Sequence, residues 1–214
     1  MKEKIVAIVT DIQGDFTTAR DGVLAAPDTD ETFLAKVADA TAVLRKHGVV
    51  IYGTQDWHPA SHISFAVNHP GRVPFETIEI DCRTQILWPP HCIQGTKGAE
   101  IIIDNDLFEN IVRKGHNPRF DSYSGFQDDG GIETAMNDLL KAGGFTKVIV
   151  YGIATDYCVK ATAIDAHIRG YKVIVIEGLS KGITPDSTAS ALKEMKEKGI
   201  SIIDEIDPAK IDAI

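Results

Sequence analysis

The chain has 214 residues, 43% of them hydrophobic and 25% charged, an ordinary globular balance in a chain long enough to bury most of its surface. A formal net charge of −9, broken by no Lys/Arg cluster, argues against a nucleic-acid or anionic-membrane partner and is silent about a small neutral substrate. Cys82, Cys92 and Cys158 cannot close a disulfide set, and the opening Met1-Lys2-Glu3-Lys4 precedes no signal or spanning stretch, so the expectation is one domain over residues 1–214 in a reducing cytoplasm.

Residues 5–10 form a continuous apolar run, as a central parallel strand requires, and Asp11 ends it at the edge where open α/β sheets place their ligands. The alternative role for Asp11 is to cap the turn that follows. Thr29-Asp30-Glu31 opens a helix that runs to about His47, stopped by Gly48, and residues 49–54 supply the second strand. Strand, amphipathic helix and strand imply a right-handed parallel crossover. The second strand leads into Asp56-x-His58, with His62 four residues on.

Residues 57–99 are irregular, rich in proline, and hold His58, His62, His69 and His91. Their aromatics (Trp57, Phe65, Phe75, Trp88) argue for an ordered, functional loop. Asp56, His58 and His62, closed from the far side by His91, would suit Zn²⁺, Fe²⁺ or Mn²⁺. The competing reading makes His58 and His62 surface loop residues and His91 a buried hydrogen-bonded one. Cys82 and Cys92 read as structural.

Residues 100–103 look like a strand that Asp104-Asn105-Asp106 cuts short, and residues 111–115 make a better third sheet strand, ending in Lys114. Residues 121–126 form a polar-aromatic loop expected to reach over the site, and residues 132–142 a helix. The strand over residues 147–151 then delivers Gly152-Ile-Ala-Thr-Asp-Tyr-Cys158. Thr155 is the expected N-cap of the helix that continues to Gly170, which puts Cys158 in its first turn, where free N–H groups and the helix dipole favour a thiolate. Cys158 as buried packing is the alternative. A strand over 171–176, a helix from Pro185 to Gly199 and a strand over 200–203 complete a three-layer, doubly wound, mainly parallel six-stranded sheet with helices on both faces.

In chain order the motifs read Asp11-Ile-Gln-Gly-Asp-Phe16, Thr54-Gln-Asp-Trp-His58, His62-Ile-Ser, Trp88-Pro-Pro-His-Cys-Ile-Gln-Gly-Thr96, Arg113-Lys-Gly115, Asp121-Ser-Tyr-Ser-Gly-Phe126 and Gly152-Ile-Ala-Thr-Asp-Tyr-Cys158. Together they resemble the nicotinamidase (pyrazinamidase) branch of the isochorismatase-like cysteine hydrolases, over residues 6–203. The resemblance implies a catalytic triad of Asp11, Lys114 and Cys158. It implies one divalent metal, zinc first with iron or manganese as alternatives, on Asp56, His58 and His91, with His62 ligating in some members only. Phe16, Trp88 and Tyr123 would sandwich a pyridine ring, with Ile153 and Tyr157 beside it. A cis peptide at Ile153–Ala154 would aim the Ala154 and Cys158 N–H groups as an oxyanion hole.

The implied reaction is hydrolysis of nicotinamide, and also of pyrazinamide, through a cysteine thioester in cytoplasmic NAD salvage. The partner is then a small molecule, with oligomeric state left open. Two departures from the family pattern are Gly14, where asparagine is common, and Tyr157, where histidine is frequent. The rival readings are a relative acting on carbamoyl or ureido compounds, and a metal-binding protein without turnover.

Overall fold

The computed structural model describes residues 3–207; the ends of the expected 1–214 domain, residues 1–2 and 208–214, lie outside the described residues. The apolar runs become strands β1 (Ile5–Thr10), β2 (Val50–Asp56), β5 (Asn110–Lys114), β6 (Lys147–Gly152), β7 (Lys172–Ile176) and β8 (Ser201–Ile203). They form one six-stranded sheet in the order β5-β2-β1-β6-β7-β8, every pairing parallel.

Alternation along β1 explains the layers. Ala7 and Val9 face a core with Phe33, Leu34, Val37 and Leu44 of α1 (Glu31–Lys46). Val6 and Ile8 face the opposite core, with Met136 and Leu140 of α2 (Met136–Gly143), Ala163 and Ala166 of α3 (Lys160–Ile168), and Leu192 and Met195 of α4 (Pro185–Glu197). The chain winds outward from β1 in one direction and from β6 in the other. The crevice at this switch point lies beyond the carboxyl ends of the strands, and Asp11, Asp56, Lys114 and Cys158 all arrive there.

Five expectations change. Residues 57–99 contain a two-stranded antiparallel hairpin, β3 (Thr77–Ile80) and β4 (Arg83–Ile86), too short and too exposed for its alternation to stand out. Cys82 lies exposed in that hairpin's turn, so it packs nothing, whereas Cys92 is buried as expected. Residues 100–103 form no sheet strand. Their backbone is taken up by the loop after β1, with Gly14 N–H on Glu100 O (3.1 Å) and Ile102 N–H on Ile12 O (3.0 Å). Gly14 is required there: a Cβ would stand 2.9 Å from Lys97 O.

The other two concern helix starts. The helix expected from residue 132 begins at Met136, because Asp128 first gathers the N–H groups of Gly130 and Ile132 (both 2.9 Å) into a turn. Thr155 is no N-cap. A π-helical turn, Thr155–Val159, precedes α3, with Ala154 at its cap position and no side-chain cap. Cys158 therefore sits in a π turn, one of the places where such turns gather at functional sites. The Ile153–Ala154 peptide is cis.

Helix starts that keep their caps show what a cap contributes. Asp30 accepts from the N–H groups of Thr32 and Phe33, both at 3.0 Å. Asp30→Ala is expected to cost about 1 kcal/mol, read as a lower urea midpoint at unchanged slope, with the reactivity of Cys158 untouched.

Candidate active site

Lys114 is the hub of the carboxyl edge. Its side chain is 0% exposed, and its Nζ lies 3.0 Å from Asp11 Oδ2, 2.5 Å from Asp56 Oδ1 and 3.5 Å from Cys158 Sγ, while also donating to Ser122 O at 2.8 Å. The triad expected from the sequence is thus assembled from three elements: the turn after β1, the last residue of β5 and the π turn after β6. Asp11 leaves β1 at φ 47°, a left-handed conformation that aspartate tolerates, and Thr54 of β2 donates to its Oδ1 at 2.6 Å.

Burial dominates the electrostatics. It pushes the Cys158 thiol well up, with the Lys114 charge opposing, and raises the Asp11 carboxyl against the same opposition. Burial alone would lower Lys114, but Asp11 and Asp56 outweigh it and hold the ammonium firmly charged. Asp56 feels burial too, and Lys114 with His58 overrides it, keeping the carboxylate well below its usual range.

Asp56, His58 and His91 bring three donor atoms within 4.8 Å of one another, all from buried residues. His58 Nδ1 meets Gly115 O and His91 Nδ1 meets Pro89 O, each at 2.9 Å. A carbonyl accepts only, so each Nδ1 carries a hydrogen and each Nε2 is the nitrogen left for an ion; at His58, which Asp56 favours in the charged form, an ion would displace the Nε2 proton. Asp56 gives one oxygen to Lys114 and holds the other 3.5 Å from His58 Nε2. Burial, then the neighbouring His58, brings His91 down to about 4, leaving it in the neutral ligating form. The set fits one divalent ion.

His62 packs tilted against His58, ring centroids 4.3 Å apart, but is engaged at both nitrogens, by Ser64 Oγ (2.7 Å) and Phe120 O (3.0 Å). It stands outside the three-donor group as the side chains are arranged. Asp11, Asp56 and Cys158 also approach within 4.8 Å, but the Lys114 ammonium occupies the space between them, which excludes a second cation.

Above the thiol lies a cavity of about 300 Å³. All five residues expected around the substrate, Phe16, Trp88, Tyr123, Ile153 and Tyr157, line it, together with Cys158 and Ala154. Trp88 Nε1 donates to Tyr123 OH at 3.1 Å and meets Tyr157 edge-on at 5.4 Å, so the aromatic walls brace one another.

Sequence reasoning gave no role to several residues that hold this arrangement. Gln13 accepts from Asp56 N–H (2.8 Å) and donates to Asp56 O and Ala99 O (both 2.9 Å), clamping the backbone of the metal-facing carboxylate. Asp15 accepts from Cys92 N–H at 2.7 Å and steadies the loop that carries His91. Asp121 lines the cavity and takes Gln85 Nε2 of the hairpin at 2.8 Å. Ser122 Oγ is buried in the cavity lining without a hydrogen-bond partner. The signal for Gln13 was a long amide side chain three residues past a buried strand, beside Asp11 at the ligand edge.

Fold and site together define a doubly wound α/β protein in which a thiol, a carboxylate and an ammonium converge under an aromatic cavity beside a metal-binding set. The isochorismatase domain model matches residues 6–207. A nicotinamidase of Acinetobacter baylyi is 40% identical over 200 residues, covering 92% of this chain and 90% of that protein. Among solved structures, the yeast nicotinamidase bound to the inhibitor nicotinaldehyde superposes with a TM-score of 0.86 at 31% identity, covering 94% of this chain and 100% of that one. The pyrazinamidase of Pyrococcus horikoshii in complex with zinc gives 0.78 at 35% identity, covering 94% and 98%. The chain belongs to the isochorismatase domain family.

Gly115, at φ 67°, has no room for a side chain, since a Cβ would fall 2.3 Å from His58 Cε1. Gly115→Ala is expected to push His58 off its carbonyl and weaken divalent-ion binding by about 10–100-fold, read by metal titration of the purified protein. Cys158 should still react with iodoacetamide.

Proposed function

We propose that this protein hydrolyses nicotinamide to nicotinate and ammonia, with pyrazinamide as a second substrate, as part of NAD salvage. The observation that carries the reading is the buried Asp11–Lys114–Cys158 convergence at the floor of an aromatic cavity. High-coverage likeness to nicotinamidases supports it.

The substrate's ring lies among Phe16, Trp88 and Tyr123, with Ile153 and Tyr157 alongside, and its carboxamide carbon faces Cys158. Asp11, the base, takes the thiol proton. Lys114, charged throughout, stabilises the thiolate and the carboxylate in turn. The thiolate attacks the carboxamide carbon, and the N–H groups of Ala154 and Cys158 receive the developing oxyanion. Asp11 passes its proton to the departing nitrogen, the C–N bond breaks and ammonia leaves a thioester. Water, deprotonated by Asp11, attacks that thioester. Nicotinate forms and the thiol recovers its proton.

Asp56, His58 and His91 are the residues that would hold a zinc ion. When bound, it would supply Lewis-acid polarisation and an anchor for the ring nitrogen. His62, with both nitrogens engaged, supports the outer side of that set and is not counted as a ligand.

Cys158→Ala is expected to abolish ammonia release from nicotinamide while still binding one equivalent of zinc; turnover near the native rate in that variant would sink the thioester route. Asp56→Ala is expected to lose the ion. It should also lose stability, because Lys114 then keeps only one carboxylate partner.

A further inference from the structure

Three of the seven large apolar residues left exposed among the described residues stand together at the mouth of the catalytic cavity: Val23 (55% exposed), Phe75 (65%) and Ile183 (37%). They come from three separate loops, one after β1, one before β3 and one before α4. Each loop is tied down by its backbone. Leu24 N–H bonds Asp15 O at 2.9 Å, Phe75 N–H bonds Leu87 O, and Ile183 N–H bonds the Asp156 carboxylate at 3.1 Å. Phe75 is held at φ 73°, uncommon for a bulky residue, with its ring edge-on to Trp88 at 6.1 Å. Isolated exposed apolar residues need no explanation. A cluster on the rim of a ligand cavity does, because such a patch marks a contact made in function.

The cavity runs from Cys158 out to this collar, and its volume of about 300 Å³ lies at the lower bound for pockets that enclose drug-sized ligands. A single ring with its carboxamide at Cys158 is surrounded by Phe16, Trp88 and Tyr123 and leaves the collar wet. We propose that the site also takes heteroaryl carboxamides carrying an apolar substituent on the ring, which leaves the ring outward and is covered by Val23, Phe75 and Ile183. The proposal takes the orientation of the cleaved end from the amidase reading; the collar's recognition of the substituent is independent of it. The chemistry is unchanged, since the amide C–N bond is hydrolysed and the substituent is untouched.

The test uses zinc-loaded Cys158→Ala protein, which binds without turning over, and nicotinamides carrying a butyl chain at each open ring carbon in turn. Burying one methylene corresponds to about fourfold in affinity. At least one isomer is therefore expected to bind on the order of tenfold tighter than nicotinamide by calorimetry. Adding Val23→Ser with Ile183→Ser should erase most of that gain and leave nicotinamide binding unchanged. The proposal is overturned if no isomer gains, or if the double substitution weakens both ligands alike. It is also overturned if the double substitution changes only the sedimentation of the protein, which would give the collar to a second copy of the chain. Ammonia release from nicotinamide by the native protein, measured in parallel, separates the two readings. A collar gain without release leaves the collar standing and removes the amidase; release without a gain does the reverse.

Discussion

The site depends on one buried ammonium. Lys114 stands among two carboxylates and a thiol, all nearly or fully out of water. Removing one partner of such a buried arrangement typically costs about 3–5 kcal/mol, because a charge is left without compensation. Here two carboxylates would be stranded at once. The same ammonium keeps the chemistry local. Burial favours a neutral thiol and a protonated carboxyl, and only the fixed positive charge makes either anion tolerable, so one proton can pass between sulfur and oxygen without a change in the total charge of the site.

Asp56 belongs to two neighbourhoods. One oxygen serves Lys114 and the other looks towards His58, and Gln13 grips the peptide groups on both sides of it. The metal-facing set and the Cys158 thiol are therefore not separate modules placed side by side. They share a carboxylate, and the geometry of each is linked to the other through a strand end that Gln13 clamps.

The fold was largely legible because its strands are buried on both faces and read as unbroken apolar runs, with glycine or capping residues between. What was lost was lost for local reasons. The β3–β4 hairpin has strands of four residues with one face in water, which leaves too little pattern to detect. Thr155 has the chemistry of a cap, but the chain enters the helix through a π turn that begins at that residue, so its hydroxyl has no cap to make. Asp11, Lys114, Cys158 and the metal-facing groups were visible as chemistry at or just past strand ends. The residues that hold them were not, because Gln13, Asp15 and Gly115 act through backbone groups brought close only by the fold. Likewise, residues 100–103 have a strand's composition, yet the loop after β1 claims their hydrogen bonds first.

Asp56 and Lys114 are also register partners, facing each other across β2 and β5. A slip of one residue in that pairing would turn every side chain of β5 to the opposite face. Lys114 would then turn to the face that Arg113 occupies beside Gln55 and Trp57, and Asp11 and Asp56 would be left as two buried anions side by side. The misaligned sheet is thus penalised by the very groups to which we assign the chemistry. β5 is an edge strand of only five residues, with little apolar pattern of its own, and its alignment is proofread by charge.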